Sequence, residues 1–107
     1  MMNPKLHVLQ SSGIFDSTIA TSFHQEIDQA LGMGIKVIVV DFQATTFIDS
    51  SGLGVLVSAQ KRVGSQGGHL LFCGLNPQVK MIFELTSLDQ AFAVFDNLEA
   101  VEKSLVN

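Results

Sequence analysis

The stretch Ile35–Phe42, IKVIVVDF, constrains the fold more than any other part of the chain. It is almost continuously apolar and rich in β-branched residues, the pattern of a strand covered on both faces. Helices laid over a parallel sheet provide such cover. The flanking segments agree. Lys5–Ser11 alternates and reads as a strand ending at Ser12-Gly13. Asp16–Leu31 sets Ile19, Phe23, Ile27, Ala30 and Leu31 at helical spacing, with Asp16 or Ser17 as its cap and Gly32 and Gly34 as its end. Asp49 to Gln66 carries Leu53, Leu56, Val57, Gln60 and Val63 on one stripe and reads as a second helix, which Gly67-Gly68 breaks. His69–Cys73 is a short strand. Pro77, with its φ already fixed, opens a third helix to Leu85. Ala91–Phe95 is a last strand, and Asp96-Asn97-Leu98-Glu99 has capping-box spacing before a terminal helix through Val106. The alternation predicts a single α/β domain over residues 1–107: a mostly parallel mixed sheet of about four strands, about four helices, and right-handed crossovers.

Composition narrows the function. The net charge of −4, six Lys and Arg, and absence of Trp and Tyr disfavour nucleic-acid binding, which depends on phosphate neutralisation. One cysteine, Cys73, excludes an intrachain disulfide and a cysteine-based zinc site, and reads as a small buried hydrophobe. No signal-peptide core and no membrane-length apolar run occur, so a soluble cytoplasmic protein without membrane insertion is expected. Only 15% of residues are charged, against about 25% in typical domains. Such a chain either exposes apolar surface for a partner or simply has a core-rich sheet.

Chemistry concentrates in Phe47-Ile48-Asp49-Ser50-Ser51-Gly52-Leu53-Gly54-Val55-Leu56, between the buried strand and the second helix. With Asp49 as cap, Ser50 is the first helical residue and faces solvent. A phosphate there would meet free amides and the positive end of the helix dipole. Gly52 and Gly54 each cost about 1 kcal/mol relative to Ala in a helix. Close backbone approach, to the sheet or to a partner, would offset that. Capping alone also explains Asp49, Ser50 and Ser51.

The run DSSGLGVL after Phe47-Ile48 resembles the signature of the STAS domain, in particular its anti-sigma factor antagonist branch. Gly13-Ile14-Phe15-Asp16, Gly67-Gly68, Asn76-Pro77-Gln78-Val79 and Phe83-Glu84-Leu85-Thr86 also match features of that family. The similarity is strongest over residues 5–96. The resemblance implies a non-enzymatic phospho-switch without cofactor or metal. Ser50 would be the phosphoacceptor, and Asp16, Asp49, Ser51, Gly52, Leu53 and Gly54 the partner-binding residues. The implied partners are an anti-sigma factor that is also a serine kinase, and a metal-dependent serine phosphatase. Unphosphorylated, such a protein binds the anti-sigma factor and frees the sigma factor. Asp16 would touch the kinase as well as cap the first helix. Members of the family usually have an extra N-terminal strand beside the segment read here as Lys5–Ser11. Four residues precede that segment, so the extra strand is expected to be missing or short. An exposed edge there would invite a homodimer or partner.

Other groups carry less. His7 and His69 are expected on strands near the surface and His24 exposed on a helix, without metal-ligand spacing. No G-x-S-x-G elbow, dinucleotide fingerprint or P-loop is present. Thr45 and Thr46 are alternative hydroxyls in the loop before the motif. An accessory subunit of a membrane transport complex and a nucleotide-sensing module are the competing functions.

Overall fold

The run Val37–Phe42 is buried without interruption, and in the computed structural model, which describes residues 6–105, it forms the centre of a sheet. The elements are β1 (Leu6–Phe15), a 3-10 turn (Ser17–Ile19), α1 (Ala20–Gly32), β2 (Val37–Ile48), α2 (Ser50–Ser65), β3 (His69–Cys73), α3 (Pro77–Leu85), α4 (Leu88–Ala91), β4 (Ala93–Phe95) and α5 (Leu98–Leu105). Strand order is β1-β2-β3-β4, and every pair is parallel. The expected α/β architecture is therefore present. A one-turn helix, α4, stands where the last strand was expected to begin. Lys5 and Val106, at the ends of the first and last expected elements, lie outside the described residues.

Alternation along the strands sends successive side chains to opposite faces. One face, with Leu9, Ile38, Val40, Phe42 and Phe72, meets α1, α2 and α3 through Ile27, Leu56 and Phe83. Phenylalanine rings run through this layer, Phe15 edge-on to Phe23 at 5.4 Å and to Phe42 at 5.5 Å between centroids. Phe72 lies 4.6 Å from Phe92. Such pairs stabilise by about 0.5–1.5 kcal/mol beyond their burial. The opposite face, with Val37, Val39 and Cys73, is covered by Val101 of α5. Cys73 is fully buried. Desolvation first, and the neighbouring Asp41 second, push its thiol up to about 11.

Two strands are longer than their apolar patterns suggested. β1 continues past Ser12-Gly13 to Phe15, with Gly13 at φ +72°. β2 runs six residues beyond Phe42, and its register against β1 slips twice, so that Gln10 faces Asp41 but Phe15 faces Ile48. β2 thus contains two bulge residues, which bend it. This corrects the placement of Thr45 and Thr46 in a loop: both belong to β2. Thr45 is 2% exposed, and its hydroxyl donates to the Ser11 carbonyl at 3.0 Å. The periodicity failed because the bulges break the alternation on which strand reading depends.

Phe15 and Ile48 face the helical layer, so their neighbours Ile14 and Phe47 point to the other side. These two sit opposite each other in the ladder, 57% and 46% exposed. Apolar surface is therefore displayed close to the motif. His7 is half-buried, with Nε2 2.7 Å from Glu26. His24, expected to be exposed, is half-buried instead, and its Nε2 is enclosed without a hydrogen-bond partner among the described residues. α1 packs on α2 as well as on the sheet, with the Asp28–Arg62 ion pair at 2.9 Å between them, and His24 lies one turn before Asp28 on the same side of α1.

Candidate functional site

The ends of β1 and β2 lie side by side, since Phe15 is in register with Ile48. An aspartate comes directly after each strand, and each caps the helical turn that it precedes. The Asp16 carboxylate accepts from the N–H of Thr18 at 2.9 Å and from the Thr18 hydroxyl. It caps the 3-10 turn; α1 proper starts at Ala20 without a side-chain cap. The Asp49 carboxylate accepts from the N–H of Gly52 at 2.9 Å and from the Ser51 hydroxyl at 2.7 Å. The Ser51 oxygen in turn accepts from the N–H of Ser17 at 3.0 Å. Ser51 therefore ties the two caps together. The Asp49 N–H donates to the Phe15 carbonyl at 3.4 Å.

Ser50 is the first residue of α2 and is exposed. Among the described residues its hydroxyl makes no hydrogen bond, whereas Asp49 and Ser51 on either side are engaged. A group at this place can be modified without breaking a contact that the fold uses.

The hydrogen bond from Ser51, and after it that from the Gly52 N–H, hold the Asp49 carboxyl below its ordinary 3.8. A depressed folded-state value means that the cap's contribution is complete above the ordinary value. It is lost as pH falls through the lowered one. Ser51→Ala removes the larger cause, so the Asp49 carboxyl is expected to titrate closer to 3.8 than in the wild type. A carbon-detected NMR titration of both proteins measures this.

The two glycines differ. A Cβ at Gly52 would lie 2.2 Å from the Phe15 carbonyl oxygen and 2.9 Å from the Phe15 ring. Gly52 is the place where helix and sheet touch backbone to backbone. Nothing in the chain lies within 4 Å of a Cβ at Gly54, so close packing inside the domain explains the first glycine and not the second. Gly54→Ala is expected to raise the thermal midpoint by about 4–8 °C, from about 1 kcal/mol of helix propensity. Thermal unfolding followed by circular dichroism checks it. Leu53 is half-buried and packs on the core, with the rest of its surface open to solvent.

The structure thus brings Asp16, Asp49, Ser50, Ser51 and Gly52 into one cluster at the carboxyl ends of β1 and β2, with Leu53 and Gly54 continuing along α2. It adds residues to which the sequence assigned no role. Asn76 caps α3, its oxygen accepting from Val79 N–H at 2.9 Å, while its nitrogen donates to the Thr45 carbonyl at 2.8 Å. The Asn-Pro pair carried a signal for that cap. Gln78 bonds to the backbone of Ile48, a contact that no local pattern announces. Among the described residues no group of His, Cys, Asp and Glu is arranged to hold a metal ion, and no helix is long and apolar enough to cross a membrane.

Known proteins share this chain's sequence pattern and fold. The anti-sigma F factor antagonist of Paenibacillus polymyxa is 28% identical over 91 residues, 84% of this chain and 78% of that protein. SpoIIAA of Bacillus, an anti-sigma factor antagonist, superposes in its unphosphorylated form with a TM-score of 0.74 at 19% identity, over all of this chain and 96% of its own. Its phosphorylated form superposes at 0.69 with 20% identity, over 97% and 95% of the two chains. A sulfate transporter family protein of Wolinella succinogenes reaches 0.84 at 18% identity, covering 98% of this chain and 88% of that one. At these identities the structural likeness establishes the shared fold. The STAS domain family model matches residues 3–101, nearly the whole chain, and the chain belongs to the STAS domain family.

Proposed function

We propose that this protein is an anti-sigma factor antagonist of the partner-switching kind, acting in the cytoplasm by binding and not by catalysis, with Ser50 as its phosphoacceptor. The observation that carries the reading is the state of the Ser50 hydroxyl. It is exposed at the first position of α2 and free of hydrogen bonds among the described residues, between two side chains that hold the helix start in place. The similarity to the Paenibacillus polymyxa antagonist supports the same role.

In this scheme the unphosphorylated chain binds an anti-sigma factor that is also a serine kinase. Asp16, Asp49, Ser51, Gly52, Leu53 and Gly54 form or frame the contact. Gly54 lets the partner approach the helix backbone, which would account for a glycine that the domain itself does not need. Phosphate on Ser50 ends the contact, and a metal-dependent serine phosphatase restores it. A homodimer through the outer edge of β1, with which no strand pairs among the described residues, would be compatible with this surface.

The test is phosphopeptide mass spectrometry on the protein isolated from its native cells, with a Ser50→Ala strain beside it. Phosphate on Ser50 that varies with growth condition and disappears in the variant is expected. An unmodified Ser50 through starvation and stress would remove the proposal and leave Asp49 and Ser51 as plain caps.

A further inference from the structure

β2 outruns its neighbour. β3 pairs with it only from Val37 to Asp41, yet β2 continues to Ile48. On that flank the remaining backbone groups have no strand to bond, and buried backbone groups need partners. Side chains stand in for the missing strand. The Asp41 carboxylate accepts from the N–H of Gln43 at 3.0 Å, and the Asn76 amide donates to the carbonyl of Thr45. Gln78 completes the row: its Oε1 accepts from the N–H of Ile48 at 3.1 Å, and its Nε2 donates to the carbonyl of the same residue at 3.2 Å. A primary amide carries both a donor and an acceptor at its tip, so one side chain satisfies both backbone groups of the last residue of β2. Ile48 stands two residues before Ser50.

We propose that Gln78 is a positioning residue for Ser50. By holding the end of β2 from α3, it fixes where the Asp49 cap begins and where the Ser50 hydroxyl is presented to a modifying enzyme. This rests on the reading of Ser50 as phosphoacceptor. Gln78 is half-buried, and the core of α3 is built by Val79 and Phe83. Replacing Gln78 therefore leaves the helix and its Asn76 cap in place.

The test uses the full chain with Gln78→Met, which keeps the length and loses both bonds, and Gln78→Glu. The carboxylate can still accept from the Ile48 N–H but offers no donor to the Ile48 carbonyl. Amide exchange is followed by NMR at Ile48, Asp49 and Ser50, with Leu56 inside α2 as reference. Phosphate on Ser50 is quantified by mass spectrometry in native cells. Gln78→Met is expected to speed exchange at Ile48 by about tenfold or more and leave Leu56 unchanged. Gln78→Glu should fall between it and wild type. Phosphate on Ser50 should drop several-fold at constant protein abundance. Exchange that stays slow at Ile48, exchange that accelerates equally through the chain, or undiminished phosphate beside a loosened Ile48 would each overturn the proposal. A wild-type chain that never carries phosphate would instead overturn the reading of Ser50, and the positioning claim with it.

Discussion

Gly52→Ala is expected to lower the thermal midpoint by about 10 °C. The added methyl group would lie 2.2 Å from the Phe15 carbonyl oxygen, far inside contact distance. Phe15 cannot give way easily, since its ring is fully buried against Phe23 and Phe42. Overpacking of this kind costs about 1–3 kcal/mol and sometimes more, and the upper end applies because the obstacle is backbone. Alanine's better helix propensity returns only about 1 kcal/mol. A net loss near 2 kcal/mol corresponds to about 8–16 °C for a domain approaching this size. The Asp49 N–H bond to the Phe15 carbonyl would be disturbed with it, so the start of α2 should shift relative to the Asp16 turn. Thermal unfolding of Gly52→Ala and Gly54→Ala side by side is the check. Shifts of opposite sign are required, and a midpoint for Gly52→Ala at or above wild type would contradict the close backbone packing at this position.

That contrast also shows where sequence reading stops. The buried strand at Val37–Phe42, the helix starting at Asp49 and the third helix opening at Pro77 were all legible, because each rests on local periodicity and local capping. The two glycines looked alike, since each lies in one turn of one helix. Only the tertiary position of Phe15 separates them. The second half of β2 was hidden for a related reason: its bulges scramble alternation, and its outer flank bonds to Asn76 and Gln78, some 30 residues away. Asp16 and Asp49 could be named as caps one by one. That Ser51 bridges them depends on the pairing of Phe15 with Ile48, which no local pattern encodes.

Ser50→Asp is expected to weaken the complex with the proposed anti-sigma partner by roughly two orders of magnitude while leaving the fold intact. A carboxylate at the first helical position suits the positive end of the helix dipole, so the domain should be no less stable. Against a partner the same charge has less to offset it. Asp49 precedes it, and the domain carries a net charge of −4. Among the described residues no basic side chain hydrogen-bonds within the cluster. An anion buried against a partner's apolar surface must lose its hydration or force the interface open. A penalty of about 3 kcal/mol gives the hundredfold change. Phosphate, with about −1.5 to −2 charges at neutral pH, should act more strongly than aspartate. Co-purification from native cells, comparing Ser50→Asp with Ser50→Ala, measures the difference. Ser50→Ala should retain the partner.

In the proposed switch, one phosphate on Ser50 controls partner binding without refolding the domain. The most direct measurement is calorimetric titration of the partner captured by Ser50→Ala with two forms of the chain, unmodified and carrying phosphoserine at position 50. Tight binding is predicted for the unmodified chain and binding roughly a hundredfold weaker, or weaker still, for the phosphorylated one. The NMR spectra of the two forms should be closely similar outside the start of α2. Equal affinity for both forms would contradict control by phosphate on Ser50.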